Sequence, residues 1–254
     1  MNFIQNILNE LPFLLMSIPV VIFSLSFHEA AHAFAAQKLG DSTAANLGRL
    51  TLNPLKHLDP IGAICLALFR FGWAKPVPIN SRNFRNPKRD MALSALAGPV
   101  SNLVLALVFG LLLKLFVWLY PTMFGENIFW EIWDALKQGD TLSPAVTLTS
   151  IVTYMLYNGV ILNISLAVFN LIPITPLDGS RILYIFLPTK AYFGIMKYER
   201  YIGLAFMVIL VLGVLDTPIS FVVSNLSELL FKLYGVTAIE LNTILTYLIN
   251  GFSR

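Results

Sequence analysis

From Leu11 to Leu39 the chain is apolar for long enough to cross a bilayer, yet this run holds His28, Glu29 and His32. That combination constrains the fold more than any other stretch. A helix of about 20 apolar residues spans the hydrocarbon core. Ionisable side chains at that depth are costly, so they point to a function rather than to packing.

Three further apolar runs, Met91 to Leu119, Val146 to Leu171 and Tyr201 to Leu215, predict four spans in all. Composition agrees. Charged residues make up 12% of the 254, about half the fraction usual in soluble domains. The mean hydropathy is +0.73. The expected fold is a polytopic α-helical membrane protein. Beyond Leu215 the pattern changes. Ile219 to Leu233 mixes Phe221, Leu226 and Leu230 with Ser224, Glu228 and Lys232, as an amphipathic interfacial helix would. Ile239 to Ile249 is apolar but short. The chain is therefore expected to have about four to five transmembrane helices.

The net charge of +3 and pI near 9.0 reflect membrane loops rather than nucleic-acid binding. Lys38, Arg49, Lys56, Arg70, Lys75, Arg82, Arg85, Lys88 and Arg89 fall between the first two spans. Arg181, Lys190, Lys197 and Arg200 follow the third span, whereas Lys137 stands alone among acidic residues after the second. The positive-inside rule puts the first and third loops in the cytoplasm. The single cysteine, Cys65, excludes an internal disulfide and reads as a small buried hydrophobe. The first apolar run lacks a basic n-region and a small-residue cleavage site, so no cleaved signal peptide is expected.

Ile61 to Phe69 is too short for a helical span and lies between Asp59-Pro60 and Gly72, Pro76 and Pro78. Those flanks predict a short strand or hairpin dipping into the membrane against protein.

His28 and His32 are four apart, so their imidazoles share one helix face and can share one ion. Glu29 is rotated by about 100°, which lets it act on water at the metal without being a ligand. A catalytic zinc needs a third protein ligand and one open position. The two options are His57, in the first cytoplasmic loop, and Asp178, just after the third span. The first and third spans both run inwards, so Asp178 falls at a depth similar to His28 and His32. Pro173 and Pro176 break the third helix and swing Asp178 inward, and Gly179 permits close approach.

The chain resembles the site-2 proteases, intramembrane zinc metalloproteases. The resemblance is carried by Phe27-His28-Glu29-Ala30-Ala31-His32, by Gly48 through Pro54 with His57 and Asp59-Pro60, by Ala97-Gly98-Pro99-Val100-Ser101-Asn102, and by Asn170, Pro173, Pro176, Asp178 and Gly179. It implies His28, His32 and Asp178 as ligands of one zinc ion, and Glu29 as the catalytic carboxylate. It implies a three-helix catalytic core with a small membrane-embedded β element after the first helix. His57 then becomes a loop-ordering or near-site residue. Asn102 and Asn170 become candidates for holding the scissile peptide or its oxyanion, against a plain role in interhelical hydrogen bonding. Residues 1–215 form the intramembrane metalloprotease domain, with a loop insertion over about 40–90. Residues 216–254 form a C-terminal amphipathic or short membrane segment. No loop is long enough for the peptide-binding or nucleotide-sensing domain that many relatives carry.

The expected activity is zinc-dependent hydrolysis of peptide bonds in or near transmembrane segments of other proteins. The expected setting is a multi-pass protein of the cell membrane, of bacterial plasma-membrane type, with the active site towards the cytoplasm. Its partners are the bilayer and transmembrane substrates, with no nucleic acid. The rival readings are a metal-ion transporter or ion-conducting protein, which also uses ionisable groups within a membrane, and a non-catalytic relative that only binds membrane proteins. The lack of an inverted repeat argues against the first. The intact His28, Glu29, His32 and Asp178 argue against the second.

Overall fold

The long apolar runs fold as helices, because in hydrocarbon a helix satisfies its own backbone N–H and C=O groups. The computed structural model describes residues 3–62, 73–124 and 144–236. In chain order the helices are α1 (Phe3–Lys38), α2 (Thr43–Asn46), α3 (Pro87–Phe124), α4 (Pro144–Asn170), α5 (Asp178–Leu183), α6 (Thr189–Val211) and α7 (Asp216–Tyr234). α3 starts at a reciprocal cap: Asp90 N–H donates to the Asn86 carbonyl at 2.8 Å, and Asn86 N–H donates to Asp90 Oδ2 at 2.9 Å. Pro87 stands at its first position, where the missing N–H costs nothing.

The protein is a polytopic helical membrane protein. Leu11–Lys38, Pro87–Leu119 and Thr147–Asn170 are each long and apolar enough to cross a bilayer. Exposure is inverted relative to a soluble fold. On α3, Leu111, Leu115 and Trp118 are exposed, while Ser94, Ser101 and Asn102 are buried. Lipid removes any drive to hide leucine, and buried polar groups then hydrogen-bond between helices.

The expected fourth span, Tyr201 to Leu215, does not stand alone. α6 ends at Val211, and Gly213 takes a φ of +67°, which glycine adopts without strain. The chain bends by 77° between Lys197–Val211 and Asp216–Tyr234, and only this bent pair reaches the length and apolarity of a span. Among the described residues the spans therefore number three, or up to four if the pair counts as one. The small β element expected over Ile61 to Asn80 is not shown, and residues 63–72 of it lie outside the described residues. At its near end Asp59 Oδ1 accepts from the N–H groups of Ile61 and Gly62, both at 2.9 Å, and residues 60–62 turn helical. At its far end Ala74 makes an isolated antiparallel bridge to Leu58. Pro76 and Pro78 then lack the N–H groups that a ladder needs. The Ile239 to Ile249 run also lies outside the described residues.

The chain divides into two compact units, and each draws on α1, α3 and α4. In one, Leu113, Val117 and Val236 form a core with Leu156, Tyr157, Phe231 and Tyr234 packed against it. Gly159 leaves room there for the Phe109 ring. The other unit, residues 22–104 and 163–225, holds the candidate site. Its loop core is Ala33, Ala44 and Val77, flanked by Leu50 and Ile79.

Candidate metal centre

Within this second unit, α1 and α3 run antiparallel and meet through residues spaced by four. His32 Nδ1 lies 2.7 Å from the Ser94 carbonyl oxygen, and His28 Nδ1 lies 2.7 Å from Asn102 Oδ1. Between them sits Gly98. A Cβ there would lie 2.4 Å from His32 Nε2 and 2.5 Å from His28 Cε1, so only glycine lets the helices close on both rings.

Asp178 arrives from α4. Pro173 and Pro176 keep the chain from continuing the helix past Asn170. It then turns through Ile174 N–H to Ile172 O at 2.8 Å and Leu177 N–H to Ile174 O at 2.9 Å. Asp178 opens α5. A Cβ on Gly179 would lie 2.3 Å from the Leu171 carbonyl oxygen, so glycine allows this first turn to fold back against the end of α4.

The three donors converge. His28 Nε2 and His32 Nε2 are 3.0 Å apart, and each is 3.2 Å from Asp178 Oδ2. Ligands about 2.0–2.1 Å from a tetrahedral zinc lie about 3.3 Å from one another, so the triangle has the size of one zinc face. Asp178 Oδ2 is buried without a hydrogen-bond donor. Ser94 O can only accept, so His32 Nδ1 carries the proton and its Nε2 lone pair points to the centre. His28, His32 and Asp178 are the cluster among the described residues that suits a metal ion.

Glu29 is buried beside them, and its Oε2 accepts from the Val77 N–H at 2.8 Å. His28, Glu29, His32 and Asp178 all line one cavity of about 750 Å³. The segment from Trp73 to Ile79 forms one wall, and Phe206, Met207 and Leu210 of α6 form another. Arg181 of α5 pairs with Glu199 of α6 at 2.7 Å, tying the helix that bears Asp178 to that wall.

Asn170 also lines the cavity, with its amide nitrogen donating to the Leu166 carbonyl at 3.0 Å. Asn102 sits behind His28, fully buried. His57 is not brought to the metal cluster. It is buried in the first loop, with Nε2 2.8 Å from the Thr51 carbonyl, and its own carbonyl accepts from Lys75 N–H at 2.8 Å. Arg49 continues that tie by donating to the Lys75 carbonyl at 2.7 Å.

Asp41, just past α1, braces the same loop. Its carboxylate accepts from the Thr43 hydroxyl and N–H, from Asn80 N–H at 2.7 Å and from Asn83 Nδ2 at 2.7 Å. Burial pushes its carboxyl up, but these bonds outweigh burial and hold it below the usual carboxylate range. Sequence reading singled out neither Asp41 nor Ser94, Val77, Asn163 and Ser24. The available signal was spacing: Ser24, His28 and His32 recur every fourth residue on α1, as Ser94, Gly98 and Asn102 do on α3.

A multi-span helical fold with two buried histidines and a half-buried aspartate around one point is that of a membrane protein with a candidate metal site. A profile of peptidase family M50 matches residues 16–214, and the chain belongs to that family, the site-2 metalloproteases. It is 36% identical over 215 residues to "Putative zinc metalloprotease YwhC" of Bacillus subtilis (strain 168), covering 83% of this chain and 85% of that one. It is 35% identical over 92 residues to "Putative zinc metalloprotease Rip2" of Mycolicibacterium smegmatis (strain ATCC 700084 / mc(2)155), covering 34% of this chain and 35% of that one. No solved structure gave a significant match. The protein is a metalloprotease, and zinc is its cofactor.

Proposed function

We propose that this metalloprotease is an intramembrane endopeptidase that cuts transmembrane segments of other proteins. The observation that carries the reading is the donor triangle of 3.0 and 3.2 Å edges built on helices long enough to span a bilayer. His28, His32 and Asp178 are assigned as zinc ligands and Glu29 as the proton-transfer carboxylate. The loop charges support a site open to the cytoplasmic side of the cell membrane.

When bound, zinc supplies a Lewis acid that polarises the scissile carbonyl and acidifies water. Glu29 takes the proton from the attacking water and delivers it to the leaving amine. Its bond to Val77 N–H holds one carboxylate oxygen, so the carboxylate keeps its aim while the other oxygen handles the proton. A helical substrate hides its carbonyls in i to i−4 bonds and must unwind to be cut. The unwound stretch is assigned to the cavity wall formed by Trp73 to Ile79, opposite Phe206 and Met207. Asn170, which lines that cavity, is assigned to hold the substrate backbone or oxyanion through the amide hydrogen not given to Leu166.

The test is purified protein in liposomes with a single-span substrate, with and without a zinc chelator. Chelator-sensitive cleavage within the span is the expected result. Metal flux without cleavage would overturn the proposal in favour of a transporter.

A further inference from the structure

Behind His28 a chain of buried amides runs away from the metal position. Asn102 Oδ1 lies 2.7 Å from His28 Nδ1, Asn102 Nδ2 donates to Asn163 Oδ1 at 3.1 Å, and Asn163 Nδ2 donates to Ser24 Oγ at 2.9 Å. Asn102, Asn163 and Ser24 are all fully buried. We propose that Asn102 is a positioning residue for the metal ligand His28, oriented by Asn163 and Ser24, and not a substrate-binding group. The inference rests on His28, His32 and Asp178 being the zinc site.

The two histidines are held differently. His32 faces a main-chain carbonyl, which can only accept. His28 faces an amide, which can present either end. In the observed direction every bond points from His28 towards Ser24. Asn102 then offers its oxygen, so His28 Nδ1 carries the proton and Nε2 keeps its lone pair for the metal. A second direction would also satisfy these three bonds. Ser24 would donate to Asn163 Oδ1, Asn163 Nδ2 would donate to Asn102 Oδ1, and Asn102 Nδ2 would face His28 Nδ1. That arrangement moves the proton to Nε2 and removes the metal lone pair. Asn163 and Ser24 therefore decide which end of Asn102 the ligand meets.

Two further observations separate this role from oxyanion binding. Both ends of the Asn102 amide are engaged. The cavity that His28, Glu29, His32, Asp178 and Asn170 line does not include Asn102 among its described walls.

The experiment is zinc affinity by chelator competition on the full-length protein, with cleavage measured at saturating zinc. Asn102→Leu should weaken zinc binding about 10–100-fold, the usual cost of removing a ligand's outer partner. Asn102→Asp should stay within about threefold of the unsubstituted protein, because a carboxylate faces Nδ1 as an acceptor only, while Asn163 turns over to donate to it and accept from Ser24. Asn163→Leu should weaken zinc and Asn163→Asp should not, since its carboxylate also accepts only and keeps Asn102 in the observed direction.

Unchanged zinc affinity in Asn102→Leu with cleavage lost at saturating zinc would overturn the proposal, because that is what a substrate-binding group does. Equal zinc loss in the leucine and aspartate variants would overturn it too, because packing alone would then be at stake. If Asn102→Leu fails to fold, the Asn163 pair decides by the same comparison. Zinc affinity needs no cleavage, so a protein that binds zinc but cuts nothing sinks the protease reading and leaves this inference standing.

Discussion

Gly98→Ala should weaken zinc binding more than it weakens the fold. The new Cβ would lie 2.4 Å from His32 Nε2 and 2.5 Å from Cε1 of both His28 and His32. Carbon atoms settle about 3.5 Å apart, so the rings must withdraw by about 1 Å. Zinc–ligand distances tolerate only about 0.2 Å. α3 cannot withdraw instead without cost. Ser94 and Asn102, one turn to either side of Gly98, hold the two Nδ1 atoms at 2.7 Å, and a 1 Å retreat breaks both bonds. Losing one of three protein ligands from a site worth roughly 10 kcal/mol costs about 3 kcal/mol, or about a hundredfold in Kd. The helix itself gains about 0.5–1 kcal/mol from alanine over glycine, which offsets part of the roughly 1–3 kcal/mol that overpacking costs. The net cost to the fold is then smaller than the cost to zinc. Chelator competition should report the weakened zinc, and a thermal melt of the metal-free protein should report at most a modest fall in Tm. Unsubstituted zinc affinity in Gly98→Ala would refute the reasoning, because the rings would then not rest on this glycine.

Glu29→Gln should keep its zinc and lose cleavage by about 10²–10⁴-fold, the usual share of a general base; metal content and a substrate gel check both. Gly179→Ala should weaken zinc through backbone, since its Cβ would lie 2.3 Å from the Leu171 carbonyl oxygen and neither chain segment can swing away as a side chain would; the same chelator titration reads it. Asp41→Asn should destabilise the loop by about 1–3 kcal/mol, because the amide nitrogen faces N–H donors that the carboxylate satisfied. Folding depresses the Asp41 carboxyl, so its contribution is present at neutral pH and is lost as pH falls below about 4. Melts of both proteins across that range should therefore converge in acid.

The spans and the candidate metal cluster were legible in the sequence for one reason: both rest on local spacing. His28 and His32 at i and i+4 share a face in any helix, and the paired prolines Pro173 and Pro176 after Asn170 mark a helix end. The bend in the fourth span was not legible, because an apolar run reports composition, while the break at Gly213 depends on one residue's backbone. Ile61 to Asn80 misled at its near end because Asp59 caps a helical turn there, a local hydrogen bond that hydropathy does not register. The ties of Ser94 O to His32 and of Val77 N–H to Glu29 are main-chain contacts between segments 62 and 48 residues apart. No side chain advertises them. Asn163 did leave a trace, being seven residues before Asn170 and so on nearly the same face of α4.

The two stripes of four-residue spacing also explain why the two histidines sit on a helix seam and not in a loop. In lipid, two helices gain little from burying leucine against each other, so close approach must come from small residues and polar contacts. Ser94, Gly98 and Asn102 supply both on α3. Gly98 removes the side chain that would hold the helices apart, and the acceptors on either side bind the outer nitrogen of each histidine. The bonds that join the helices are thus the same bonds that aim the Nε2 atoms. Helix packing and ligand orientation cannot then be varied separately. A change that loosens the α1–α3 seam anywhere between Ser94 and Asn102 should cost zinc before it costs the fold.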